Sequence, residues 1–584
     1  MSVVTELPKW DVSCYFPGVG SKELSDEMSA IKAEAFRLEA LFDEYAGGED
    51  SSGFAEVLVA FNALSDRAKL VRSFIHSFVS TDSKDEVALA RQSEMQPVAI
   101  LMNKLVTRLT AWVGRMPLEE LVESSEVARE HEFAIRRMAV LSEHQMSEDL
   151  EALASDLSDS GTSAWARLYG NFSSQISVPF RGEDLPMAAV RNLAHDASAD
   201  VRREAYDAEL AAWERNELAI AAAMNAIKYE SNLLAKRRGW GSVLDEAVFA
   251  TNIDGDTLSA MMDAARDAFP AFRRYLRAKS RLLGNSGGLP WSDLFAPVGA
   301  EGGWSYEKAM SFVEEGFRAY SDAMGDLAAR SFAEDWIDVA PRAGKRDGAF
   351  CMGTRGDESR ILMNFKESFG SVATLAHELG HAYHNVCLAD RTAVQSQTPM
   401  TLAETASIFC ETVIKRRAIS STSGGERLAI LEASLQGSCQ TVVDITSRFL
   451  FERGVYERRA ERELSAREFC GLMSDAQKET YGDGLSSWHP YMWAVKPHYY
   501  AWRPFYNYPY MFGLLFSLGL YAVYESEPSG FHARYDDLLS STGLADAATL
   551  ADRFGIDTRR KEFWAASLKV VEGDVALFEA EAGA

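Results

Sequence analysis

His377 and His381 stand four residues apart in the stretch Ser371–Ala389, and Glu378 directly follows the first of them. On a helix this spacing projects both imidazoles from one face, one turn above the other. Two neutral imidazoles so placed can hold a Zn²⁺ ion at about 2 Å, and the neighbouring carboxylate can reach a water on the ion's open side. The pattern is HExxH, the signature of zinc hydrolases. With ten histidines in 584 residues, chance produces it on the order of once per hundred such chains. His131-Glu132 begins the same way and lacks the second histidine. Val372, Leu375, Leu379 and Val386 recur at helical spacing on another face, the mark of a helix buried on one side. A plain amphipathic helix with two satisfied histidines would share that pattern, so the reading turns on a third ligand.

A catalytic zinc site usually takes three protein ligands and leaves the fourth position to water. Glu404, after 22 intervening residues, is the best candidate. Thr398 can cap a helix with Pro399 at its first position, which places Glu404 early on a helix able to cross the HExxH helix. Glu411, two turns further on, shares roughly the same face and could orient a ligand histidine through its second ring nitrogen.

His377-Glu378-Leu379-Gly380-His381-Ala382-Tyr383-His384, followed by Leu402-Ala403-Glu404-Thr405-Ala406-Ser407, resembles the M3 family of zinc metallopeptidases, in particular its oligoendopeptidase F branch, related to thimet oligopeptidase and neurolysin. Trp10–Ser13 with Phe16-Pro17, Asp245–Phe249 before Asn252–Asp254, and Pro290–Leu294 agree with it, so the likeness spans nearly the whole chain. It implies a mainly α fold in which two helical lobes enclose a deep substrate channel, with a small β-sheet beside the HExxH helix of a zincin-like core. It also implies an N-terminal helical lobe over residues 1–185 and a catalytic domain over 186–584. One Zn²⁺ per chain would be held by His377, His381 and Glu404, with Glu378 as general base.

Between Trp488 and Phe512 lie two His, six Tyr and three Trp. Such density can be a core wall, but Tyr and His also donate hydrogen bonds, and peptide hydrolysis builds an oxyanion that needs donors. The segment is similar to the family's H…F-Y-x-Y-x-Y stretch. The likeness implies catalytic roles for His498 and Tyr510 and substrate contacts for Tyr506 and Tyr508, and Trp502-Arg503-Pro504 makes the connection slightly longer than the family's. His489 is a weaker candidate. Gly348–Phe365 shows β-like runs about a Gly/Asp turn. There Ile361–Asn364 resembles the family's edge strand, so Ile361 and Met363 are expected to meet an extended peptide through backbone hydrogen bonds.

The remaining sequence frames these groups. At 584 residues the chain exceeds one ordinary core. Residues 22–170 read as long helices, among them Glu23–Tyr45, Ala55–Ser80 and Leu118–His144, and Gln175–Pro186 reads as a short hairpin. A net charge of −26 excludes the basic footprint of a nucleic-acid binder and suits an anionic membrane surface poorly. The first residues lack a basic region followed by an apolar run, and the apolar run Tyr510–Tyr524 is short for a membrane span. Six scattered cysteines without CxxC read as reduced thiols. A cytoplasmic address is expected. Gly284–Gly288 spells G-x-S-x-G without the strand a nucleophile elbow needs, and Arg355-Gly356-Asp357 reads as a turn. The function expected is zinc-dependent hydrolysis of internal bonds in short unstructured peptides. The alternatives are a zinc carboxypeptidase or dipeptidase, for which Arg503 would be the residue to watch as a carboxylate clamp, and a non-catalytic helical binding protein.

Overall fold

Leu24, Met28, Ile31, Ala35, Leu38 and Phe42 form one buried stripe along the first helix, Lys22–Tyr45, whose Ser21 cap accepts from Leu24 N at 3.2 Å. The same three-and-four spacing buries the inner faces of Phe54–Thr81 and Glu86–Val113, and these helices close a first core that reaches Ile135. The computed structural model describes residues 7–46, 53–300, 302–501 and 503–583. Trp502, residues 1–6 of the N-terminal stretch and residue 301 of the 284–302 loop lie outside the described residues. The expected helix over 118–144 is three shorter ones, 118–124, 126–130 and 132–143. Ser125 is extended and caps a new helix at Ala128 N, and His131 is buried with Nδ1 2.8 Å from the carbonyl of Val127.

The hairpin falls where its alternation places it. Strand β1 (Ser177–Phe180) pairs antiparallel with β2 (Glu183–Pro186), across a turn in which Arg181 and Gly182 both have positive φ. Its Val178 packs with the long helix Ala199–Arg237 and with residues from Phe451 to Tyr500 in a second core. The largest core gathers side chains from Ala235 to Phe578 and surrounds the helix Phe369–Cys387, which carries HExxH.

A three-stranded sheet borders that helix in the order β3 (Ile337–Asp338), β5 (Ser359–Leu362), β4 (Phe350–Gly353). β3 runs parallel to β5, and β4 antiparallel to it. The expectation for Ile361 and Met363 is corrected here. β5 is the central strand, both side chains are buried in the main core, and Met363 N is taken by Asp338 O at 3.0 Å. The two-residue strand β3 supplies the extra partner and is too short to show a period. The outer strand beside the HExxH helix is β4, with half-buried residues throughout. Arg355-Gly356-Asp357 is the turn that joins β4 to β5, where Arg330 Nη1 donates to Asp357 Oδ2 at 2.6 Å. Gly284–Gly288 follows the helix Gly255–Leu282 and no strand. The six cysteines are free. Among the described residues no helix is long and apolar enough to cross a membrane, and Tyr508–Ser526 is instead buried in the main core.

Lys228 and Glu452 form a buried ion pair at 2.6 Å, with side chains 1% and 3% exposed, and Glu452 also accepts from Phe505 N at 3.2 Å. Lys228→Met strands a buried carboxylate and is expected to cost about 3–5 kcal/mol, whereas Lys228→Met with Glu452→Leu recovers most of it. Chemical denaturation of both variants checks this, and equal losses in the two would refute it.

Candidate active site

The helix Phe369–Cys387 presents His377 and His381 one turn apart, their ring centroids separated by 4.9 Å and their planes 85° apart. Glu404 reaches them from the junction of two helices, Met400–Ala403 and Thr405–Ser421, where its own backbone (φ −90°, ψ 2°) breaks the helical run. Thr398 does not cap this element. Its hydroxyl lies 2.8 Å from Thr542 Oγ1, and Pro399 takes the cap position. Close packing fixes the junction. A Cβ on Gly380 would lie 2.6 Å from Ser407 Cα and 2.7 Å from Ala406 O, so only glycine lets these helices touch there. Gly513, on Tyr508–Ser526, similarly abuts Glu404 Cβ.

Glu404 Oε2 lies 3.3 Å from His377 Nε2 and 3.5 Å from His381 Nε2, and one ligand atom from each of the three residues falls within 4.8 Å of the others. A tetrahedral ion with bonds of about 2.0–2.2 Å needs donor atoms roughly 3.3–3.6 Å apart. The donor set and its spacing therefore fit Zn²⁺. About a quarter of each imidazole and a fifth of the Glu404 side chain remain exposed, which leaves one side open. Glu411 Oε2 stands 3.2 Å from His377 Nδ1, and its other oxygen meets Lys415 Nζ at 2.5 Å. The Glu411–Lys415 pair was not anticipated, although its i, i+4 spacing is a recognisable signal.

Burial and neighbouring charges shift the ionisation of these residues. Burial disfavours a charged His377, but hydrogen bonds to Glu404 and then Glu411 overcome it and raise its pKa to about 10. Burial and the neighbouring His377 push His381 down to about 4. Burial would raise Glu404, yet the His377 hydrogen bond holds it near 2. Glu378 is 5% exposed, its Oε2 has no hydrogen-bond partner, and burial raises it to about 7. It lies beside β4, since its charge, after burial, helps raise the thiol of Cys351.

A cavity of about 290 Å³ opens along this group, lined by His377, Glu404, Glu411, Lys415, Thr441 and Tyr510. Tyr510 is half-buried and neighbours Tyr506 at 6.1 Å between ring centroids, and Tyr506 stacks on His498 at 4.8 Å. Asn507 Oδ1 accepts from Arg448 Nη1 at 3.1 Å and lies 2.8 Å from His498 Nδ1. That arrangement places the His498 proton on Nδ1. Burial, Arg448 and Lys496 hold His498 below its ordinary pKa against the Asn507 hydrogen bond. Tyr508 departs from expectation: it is 1% exposed, and its hydroxyl donates to Ala247 O at 3.0 Å and meets Thr251 Oγ1 at 2.7 Å. Alternation along a helix start (508 against 506 and 510) cannot put all three on one side. His489 is buried elsewhere, with Nε2 3.3 Å from Glu209.

Gly380→Ala is expected to force the two ligand-bearing helices apart, lowering stability by about 1–3 kcal/mol and metal binding together. Melting and metal analysis of the purified variant test this, and wild-type values for both would show that the close approach is dispensable.

The sequence profile described as Peptidase family M3 matches residues 315–570, and that of Oligopeptidase F matches residues 115–177. An oligoendopeptidase F homolog of Lactococcus lactis subsp. lactis is 22% identical over 605 residues, covering 99% of this chain and 97% of its own. Oligopeptidase PepF of Bacillus subtilis is 22% identical over 477 residues, 78% of this chain and 69% of its own. Among solved structures, oligoendopeptidase-F from Enterococcus faecium superposes with a TM-score of 0.67 at 16% identity, over 96% of this chain and 99% of that one. A peptidase candidate from Chlamydophila abortus gives 0.83 at 18% identity, over 98% of both. The fold is therefore the one these structures share. The chain belongs to peptidase family M3 and is a metallo-oligopeptidase of the oligopeptidase F type.

Proposed function

We propose that this protein is a cytoplasmic zinc endopeptidase that cuts internal bonds of short, unstructured peptides, with residues 186–584 as its catalytic domain and 1–185 as the lobe that walls the channel. The observation that carries the reading is the clustering of His377, His381 and Glu404 ligand atoms within 4.8 Å of one another, beside a buried Glu378 with an unpartnered oxygen. These three residues would hold one Zn²⁺ per chain, and Glu411 would orient His377. Bound there, the ion supplies Lewis acidity to the substrate carbonyl and to water.

The chain's own groups do the rest. Glu378 takes a proton from the attacking water, whose oxygen bonds to the carbonyl carbon. When the C–N bond breaks, the same carboxyl returns that proton to the leaving amine nitrogen. The Tyr510 hydroxyl, on the wall of the same cavity, donates to the oxygen that gains charge. His498, with Nδ1–H turned to Asn507, offers Nε2 as a donor only when protonated, and otherwise props Tyr506 against Tyr510. An extended peptide pairs with the outer strand β4 through main-chain hydrogen bonds. A folded domain must first open locally to present such a segment, so folded proteins are spared.

Glu378→Gln is expected to retain metal and to lose about 10²–10⁴ in kcat. A variant that kept a tenth of wild-type turnover would end the general-base assignment.

Tyr510→Phe should cost about 10²–10³ in kcat at every pH. The loss in His498→Ala should grow as pH falls through the lowered pKa of that imidazole, because only the protonated ring donates. Parallel pH profiles of the two variants would remove this division of roles.

Mapping the products of a mixed peptide library, with and without chelator, distinguishes internal cuts from terminal trimming. Chelator-resistant cleavage, or rapid cleavage of a stable folded protein, contradicts the reading.

A further inference from the structure

A second cavity adjoins the first across one helical surface. The helix Gly424–Cys439 continues through a π turn, Gln440–Asp444, into Ile445–Arg459. Thr441 lines the catalytic cavity, whereas its exposed neighbour Gln440 lines the second one with Arg191, Trp291, Asp444, Tyr481 and Lys496. π turns inside α-helices are frequent at functional sites.

The charges around this second cavity do not balance. Arg191 pairs with Glu209, Arg448 with Asp444, and Lys279 with Glu432. The Lys496 side chain is half-buried and has no hydrogen-bond or ion-pair partner among the described residues. Of the charged residues in the cavity lining, Arg191 and Asp444 are thus each paired, and the surplus sits on the Lys496 ammonium. An unpaired charge withdrawn from water is costly, and burial followed by repulsion from Arg448 lowers Lys496 to about 8. Trp291, Leu294 and Met492 supply apolar wall around it.

We propose that this cavity is an anion subsite in which Lys496 Nζ binds a carboxylate-sized anion, either the C-terminal carboxylate of a bound peptide or a small anion from solution. Only the first source rests on the peptidase reading. The subsite is wired to the aromatic wall of the catalytic cavity. Asp444, in its lining, holds Arg448, which donates to Asn507, and Asn507 fixes His498.

Two measurements on the full-length protein test it. In thermal denaturation at constant ionic strength, sodium acetate is set against acetamide and against a bulkier sulfonate, in wild type and in Lys496→Met. In turnover, matched peptides ending in a free carboxylate or in an amide are compared in the same two proteins. If the peptide is the source, the free acid is favoured by about tenfold or more in kcat/KM, and Lys496→Met brings the ratio of free acid to amide within that variant to one. If a free anion is the source, the two peptides are equal, and acetate raises the melting temperature of wild type alone, with no effect of acetamide. Equal peptides with no acetate shift overturn the proposal, as does any preference or shift that survives in Lys496→Met. Should that variant not fold, the contrast between acetate and acetamide in wild type decides. The melting measurement reads equally well in a protein without turnover, so failure of the peptidase reading is separable from failure of the subsite.

Discussion

Everything at the catalytic cavity depends on how closely two helices approach at Gly380. The histidines need the regular geometry of a straight helix, while Glu404 must arrive from a different direction with its carboxylate at donor spacing. No single element can do both. Crossing helices at the distance of bare backbone contact, and then breaking the second helix at Glu404, satisfies the two demands together. Any side chain at Gly380 would separate donors whose mutual distances are 3.3 and 3.5 Å. A fraction of an ångström there decides whether one ion can be shared.

The aromatic wall is fixed by different means. Phe505 adopts a left-handed backbone conformation (φ 51°) that non-glycine residues rarely hold without support. Its amide is held by Glu452, itself locked to Lys228 on the long helix Ala199–Arg237. Arg448 holds Asn507 two residues later. A buried polar network thus holds Phe505, Asn507 and His498, on which Tyr506 stacks, and no local helical or strand preference would do so.

That contrast explains what could be read from the sequence. The HExxH spacing and the glutamate that follows it are carried by local periodicity and by residue chemistry, and the structure gathers them. The hairpin at Ser177–Pro186 was legible because a two-residue turn fixes its register. Ile361 and Met363 were misassigned because the order of strands in a sheet is a long-range property: β3 has two residues and announces nothing. Tyr508 was misassigned for the same kind of reason, since Thr251 and Ala247 claim its hydroxyl from more than 250 positions away. Ser125 and His131 divided a helix that periodicity alone would continue. Lys496 has no sequence signature at all, because an unpaired charge is defined by what does not surround it.

The connection between the HExxH helix and Glu404 carries a consequence for synthesis. Val394 N donates to Asn62 Oδ1 at 3.0 Å, Thr392 Oγ1 lies 2.8 Å from His131 Nε2, and Gln395 Nε2 donates to Glu130 O at 2.8 Å. Chains emerge from the ribosome N-terminus first, and early lobes fold as units. The first core can therefore form while its grip on residues 392–395 is still empty. That grip waits for some 260 further residues, and it closes on the very segment that delivers the last ligand. Acquisition of a competent metal site is then a late event in the life of each molecule. A nascent chain has no peptidase to turn on itself or its neighbours until residues 392–395 have met the first core.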